Sequence, residues 1–169
     1  MPQLAVTITI SHATFTDGIK STNPFVRRIG CLIPVAFYFL LRVGEYTKPH
    51  TVVKDGKRVR ATRTKKFVAG NVGFFHNGVA ITRMTPLATL LTADIETLKI
   101  LNQKNGQMGQ TITQHSTGSA LCPIKSLAHI VHGILSEGGT NDTLLCSVGY
   151  KGSFTPVEPC HIIDAVRDT

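Results

Sequence analysis

The stretch "AFYFLLRVGEYTKP" sets Arg42 directly after the apolar residues Ala36 to Leu41 and places Glu45 three positions further on. A planar guanidinium suits two oxygens of one phosphate, and a carboxylate one helical turn away can hold it in position. The same spacing also describes a weak surface ion pair at the end of a helix. Lys104 stands in "NQKNG", a turn signal between two alternating runs. A lysine at a hairpin tip can enter a nucleic-acid groove and protonate a leaving alkoxide, or it can be a solvated charge. The third group is "KDGKRVRATRTKK", in which Lys54, Lys57, Arg58, Arg60, Arg63, Lys65 and Lys66 accompany a single acid. Arg58, Arg60 and Arg63 recur at spacings that suit phosphate contacts from an extended chain. A solvated loop or a nuclear-import signal would have a similar composition.

Other chemistries find no support. His129 and His132 fall off the apolar face of their segment and read as surface residues rather than metal ligands. There is no HExxH, no glycine-rich phosphate loop and no GxSxG, so neither a metal nor a small-molecule cofactor is expected. Cys160 and His161 are adjacent and therefore point apart. The four cysteines make no CxxC pair, which suits a reducing, intracellular setting. A net charge of +8 favours a polyanionic partner.

The elements that must position these residues follow from periodicity. At 169 residues the chain fits one domain. Residues 1–20 read as a leader with an alternating patch, Leu4 to Ile10, that suggests a short strand. Asn23-Pro24 marks a helix start, and one helix bent near Pro34 is expected from Pro24 to Glu45. The apolar run from Cys31 to Leu41 is shorter than the roughly 20 residues a bilayer requires, so no membrane association is expected. A basic loop follows. "FVAGNVGFFHNG" reads as a strand ending in an Asn-Gly turn, with "VAIT" returning from it. Residues 94–115 form a second hairpin with Lys104 near its tip. A helix from Pro123 presents positions 124, 127, 128, 131, 134 and 135 on one face and stops at Glu137-Gly138-Gly139. A short final helix begins near Val157. The order implies an α+β domain, mostly helical, with a small antiparallel sheet.

With these residues in place, "FYFLLRVGEYT", the basic "TRTKKF", "TLKILNQKNGQMGQTI" and "CPIKSLAHIV" together resemble the catalytic domain of tyrosine recombinases. The likeness is closest to the Crypton-like integrases of eukaryotic mobile elements, and it runs from about residue 25 to the end. It implies a DNA breaking-rejoining core in residues 21–169, double-stranded DNA as partner and a nuclear location. It also implies strand cleavage through a 3′-phosphotyrosyl link without metal or cofactor. Arg42 then matches the first catalytic arginine, Glu45 the acidic residue of the same motif, and Lys104 the hairpin lysine.

Two parts of the family pattern are missing. No His-x-x-Arg occurs, and His161 is followed at the third position by Asp164. Tyr38, Tyr46 and Tyr150 all precede the place of the nucleophilic tyrosine. The resemblance therefore implies the first part of a catalytic domain, truncated on its C-terminal side and inactive in cleavage. A non-catalytic DNA-binding relic or an interaction domain remains the alternative. Self-association through apolar surface around the last helix and one sheet face is also expected. If the seven basic residues meet phosphates, a plot of log affinity for duplex DNA against log salt should have a slope of about −6. A slope near zero in fluorescence anisotropy would contradict phosphate-driven binding.

Overall fold

The computed structural model describes residues 8–41, 43–48, 51–60, 66–101 and 109–167. Its elements are helices α1 (Ile8–Lys20), α2 (Pro24–Tyr38), α3 (Val43–Tyr46), α4 (Leu87–Leu90), α5 (Pro123–Ser136) and α6 (Pro159–Arg167), with strands β1 (Thr51–Lys54), β2 (Lys57–Arg60), β3 (Val72–His76), β4 (Val79–Ile81), β5 (Ile95–Ile100), β6 (Gln110–His115), β7 (Ser147–Tyr150) and β8 (Ser153–Pro156). The α+β expectation holds at that level.

The central sheet is antiparallel with order β4-β3-β5-β6. Alternation puts Val72 and Phe74 of β3 and Glu96, Leu98 and Ile100 of β5 on its buried face. α5 covers that face, α2 packs on α5, and α1 packs on α2. The buried side chains of α5 include Ile124, Leu127, Ala128, Ile130, Val131 and Ile134, the helical stripe expected from the sequence plus Ile130. Leu135 is only half-buried. The outer face of the sheet carries exposed Lys99, Thr111 and Thr113. The same outer face also holds half-buried Phe75 and Ile95, so it is apolar in part, while α6 buries Ile162 and Val166. Exposed apolar side chains include Leu40 after α2, Val79 on β4 and Met84 beyond it.

Three elements differ from the sequence expectation. Residues 8–10 begin a helix rather than a strand; the rest of the patch lies outside the described residues. The deciding pattern is Ser11, Phe15 and Gly18, buried at helical spacing beneath the apparent alternation. The described start of the basic segment is no loop, and residues 61–65 lie outside the described residues. Residues 51–60 form a separate two-stranded sheet turned at Asp55-Gly56, both with positive φ. β7 and β8 form a further hairpin, turned at Lys151-Gly152.

The third difference concerns the helix before Arg42. α2 starts as expected, with the Asn23 side chain accepting from the Phe25 N–H at 2.9 Å. It runs through Pro34 and ends at Tyr38, well before Glu45. There Leu41 N–H donates to the Ala36 carbonyl at 2.9 Å and Leu40 N–H to the Phe37 carbonyl at 3.4 Å, while Leu40 takes φ 54°. These paired bonds are a Schellman termination with leucine where glycine is usual. The left-handed conformation costs a non-glycine residue about 1–2 kcal/mol.

Glycines fix how closely α1 and α2 approach. A Cβ on Gly30 would lie 2.6 Å from the Thr14 carbonyl oxygen and 2.8 Å from the Gly18 Cα. Gly30→Ala should destabilise the fold by about 1–3 kcal/mol in denaturant unfolding, the usual range for overpacking. Unchanged stability would mean that the two helices separate freely.

Candidate nucleic-acid interface

Arg42 and Lys104, the residues to which the sequence assigned chemistry, both lie outside the described residues, as do Arg63 and Lys65. Their surroundings are described. Glu45 is half-buried on α3, the short helix that follows Arg42. Tyr46 and Thr47 after it are buried, with burial raising the Tyr46 phenol above its ordinary range. Lys48 anchors the end of this segment: its N–H donates to the Val157 carbonyl at 2.8 Å, and its ammonium pairs with Glu158.

Lys104 belongs to the connection between β5 and β6. The ladder runs from Ile95 opposite His115 to Ile100 opposite Gln110, so position 104 falls beyond the last pair, at the hairpin end. This hairpin is tied to the end of α2. Gln114 on β6 donates from Nε2 to the Tyr38 carbonyl at 2.9 Å, four residues before Arg42. The Tyr38 hydroxyl in turn donates to the Leu121 carbonyl at 3.0 Å, just before α5. The last turn of α2, β6 and the start of α5 thus share a polar joint.

The basic residues divide. Position 54 pairs with 57, 53 with 58 and 51 with 60 across the β1–β2 ladder. Lys57 is exposed at the turn. Lys66 is different. It is buried, 7% exposed, and lies near the Cys146 thiol, whose strong upward shift from burial it partly offsets. Lys66 thus sits apart from the exposed hairpin.

Sequence reasoning missed Glu96. It lies on the inner face of the sheet, fully buried, with neither carboxylate oxygen hydrogen-bonded in the structure. Burial holds its carboxyl well above the usual range, and the nearby Cys122 thiol pushes it in the same direction. Cys122 caps α5. Burial alone would raise its thiol, but hydrogen bonds from the backbone at Thr117, Lys125 and Ile124 and from the Ser116 hydroxyl outweigh this and lower it. The signal for Glu96 was present in "IETLKI", where the glutamate shares its alternation with Leu98 and Ile100. His129 and His132, expected at the surface, are half-buried on α5 and line a cleft against α2. No group of three metal-ligating side chains occurs among the described residues, and no described helix is long and apolar enough to cross a membrane. No protein-family model, curated protein or solved structure matches the chain.

The position of Glu96 has a consequence for stability. Its carboxyl keeps its proton in the fold but loses it in the unfolded chain above the ordinary pKa of 4.5. The folded state then binds more protons, so stability falls as pH rises from that value. Glu96→Met should remove this slope and raise stability at about pH 8 by about 1–3 kcal/mol, the cost of an unsatisfied buried polar group. An unaltered pH profile of urea unfolding would show that the carboxyl is satisfied.

Proposed function

We propose that this chain is a tyrosine-recombinase-like protein of DNA integration and recombination, acting here as a DNA-binding element that does not cleave. The observation that carries the reading is the Gln114–Tyr38 bond, which links the hairpin bearing Lys104 to the helix end that leads to Arg42. A phosphate-directed arginine and a proton-donating lysine on separate elements need such a joint to act on one phosphate. Glu45, half-buried one turn after Arg42, is placed in sequence to steady the guanidinium. Lys54, Lys57, Arg58 and Arg60 on the β1–β2 hairpin, with Arg63 and Lys65 following, supply backbone contacts, whereas buried Lys66 does not.

The tyrosines support the non-cleaving role. Tyr38 donates its hydroxyl to the Leu121 carbonyl, Tyr46 is buried, and Tyr150 stands exposed beside Lys151 on a distant hairpin. Among the described residues, none of the three is paired with an arginine. Duplex DNA is the proposed partner and the nucleus the proposed location. No metal or cofactor is required by this reading.

The test combines affinity with covalent trapping. Lys57→Gln and Arg58→Gln should each reduce the steepness of the salt dependence by about 1 while leaving the fold intact. Arg42→Ala should weaken duplex binding by about tenfold, the scale of one charge-assisted contact. A nicked suicide duplex should yield no protein–DNA adduct in a denaturing gel. Unchanged binding in all three variants would remove the DNA reading, and a covalent adduct would remove its non-cleaving part.

A further inference from the structure

Between α2 and α5 the surface opens into a cleft of about 300 Å³. Arg27 and Arg28 reach it from α2, His129 and His132 from α5, and Glu137 is the one carboxylate in its lining. The two histidines are three residues apart on one helix and so share a face.

Arg28 is the unusual member. It is 8% exposed, and its Nη1 donates to the carbonyls of Ile130 at 3.0 Å and Leu145 at 3.4 Å. No carboxylate pairs with it among the described residues. Its Nη2 lies 3.4 Å from where a Cβ on Gly133 would stand, and Gly133 lines the cleft. Glycine at that position sets no side chain against Nη2. A guanidinium taken out of water and met only by carbonyl dipoles carries a large desolvation penalty, which an anion in the cleft would offset. Arg27 is held at the rim by Nε and Nη2, which donate to the Ser21 carbonyl at 3.2 and 2.8 Å.

We propose that this cleft binds a phosphate-type dianion, with Arg28 as its buried contact and Arg27, His129 and His132 around it. The charge balance disfavours a metal cation, because two arginines face the space where one would sit. The bound group is either a free inorganic anion or one phosphate of a nucleic-acid backbone. This proposal uses neither Arg42 nor Lys104 and does not depend on the recombinase-like reading.

The electrostatics give the site a pH dependence. Burial lowers the Arg28 guanidinium from its ordinary value to about 10, so it stays charged at neutral pH. Burial, His132 and Arg27 together hold His129 below its ordinary value, leaving its ring neutral near pH 7. The groups facing the cleft are Arg27, Arg28 and Cys31 from α2, and His129, His132 and Glu137 from α5 and its cap. Leu87 of α4 and Val148-Gly149 of β7 add no charge. Protonation of His129 adds positive charge, so anion affinity rises as pH falls below neutrality.

Sulfate is the appropriate probe because it stays doubly charged across that range. Titrating it into the full chain should shift the His129 and His132 ring resonances saturably, with tighter binding at about pH 6 than at about pH 8. Arg28→Met should weaken binding by at least about tenfold. His132→Gln and Arg27→Gln, at half-buried and exposed positions, should weaken it less and keep the fold, so the test stands even if Arg28→Met fails to fold. Duplex DNA that displaces sulfate and shifts the same resonances identifies backbone phosphate as the source. DNA that leaves bound sulfate in place identifies a free anion. Shifts that do not saturate, or sulfate affinity unaltered in the His132→Gln and Arg27→Gln variants, would overturn the proposal.

Discussion

Helix α2 is the constraint on which the described fold turns, because it is packed on two sides at once. One side meets α1 at a separation that Gly18 and Gly30 alone permit. The other side meets α5, which itself seals the buried face of the sheet. Cys31, Leu32, Ile33 and Val35 are all buried within one turn and a half, so the helix has little freedom to rotate or slide. Everything that matters for binding is referred to this helix. Its end leads to Arg42, it carries Arg27 and the buried Arg28, and its Tyr38 carbonyl accepts from Gln114 of β6.

The termination at Leu40 shows how the chain uses that rigidity. A leucine in the left-handed region, 88% exposed, gives up both favourable backbone geometry and burial. The two Schellman bonds and the fixed helix behind them maintain it, and strain of this kind commonly gathers beside functional segments. The turn takes the chain out of the core immediately before Arg42. A continuous helix would have given the arginine and the glutamate a shared helical face; the turn separates the helix that buries from the short helix that bears Glu45.

The buried polar groups form a second theme. Arg28 is met by carbonyl dipoles, Glu96 by nothing within hydrogen-bond reach, and Cys122 by donors at the start of α5. Burial sets the direction of the shift at Arg28 and Glu96, whereas at Cys122 the hydrogen bonds outweigh it. Arg28 stays charged because burial lowers its high ordinary value only to about 10, whereas burial raises the Glu96 carboxyl and keeps it neutral.

Much was legible in the sequence where one local signal acted alone. Asn23-Pro24 fixed the start of α2, Asn77-Gly78 turned β3 into β4, and the apolar stripe after Pro123 defined α5, because capping, turn chemistry and helical periodicity are set by neighbours in sequence. Competing signals misled. Asp55-Gly56 announced a hairpin as plainly as Asn77-Gly78, but the surrounding charge made the segment read as a loop. The alternation before Ser11 hid a helix whose buried face is small and glycine-containing. What no sequence pattern could supply was the meeting of distant residues: Gln114 with Tyr38, Arg28 with Ile130 and Leu145, and the two histidines with two arginines. The sequence by itself determined the periods, the turns and the excess of positive charge. Only tertiary packing decided which of those charges lose their water, because desolvation depends on what the rest of the chain places around them.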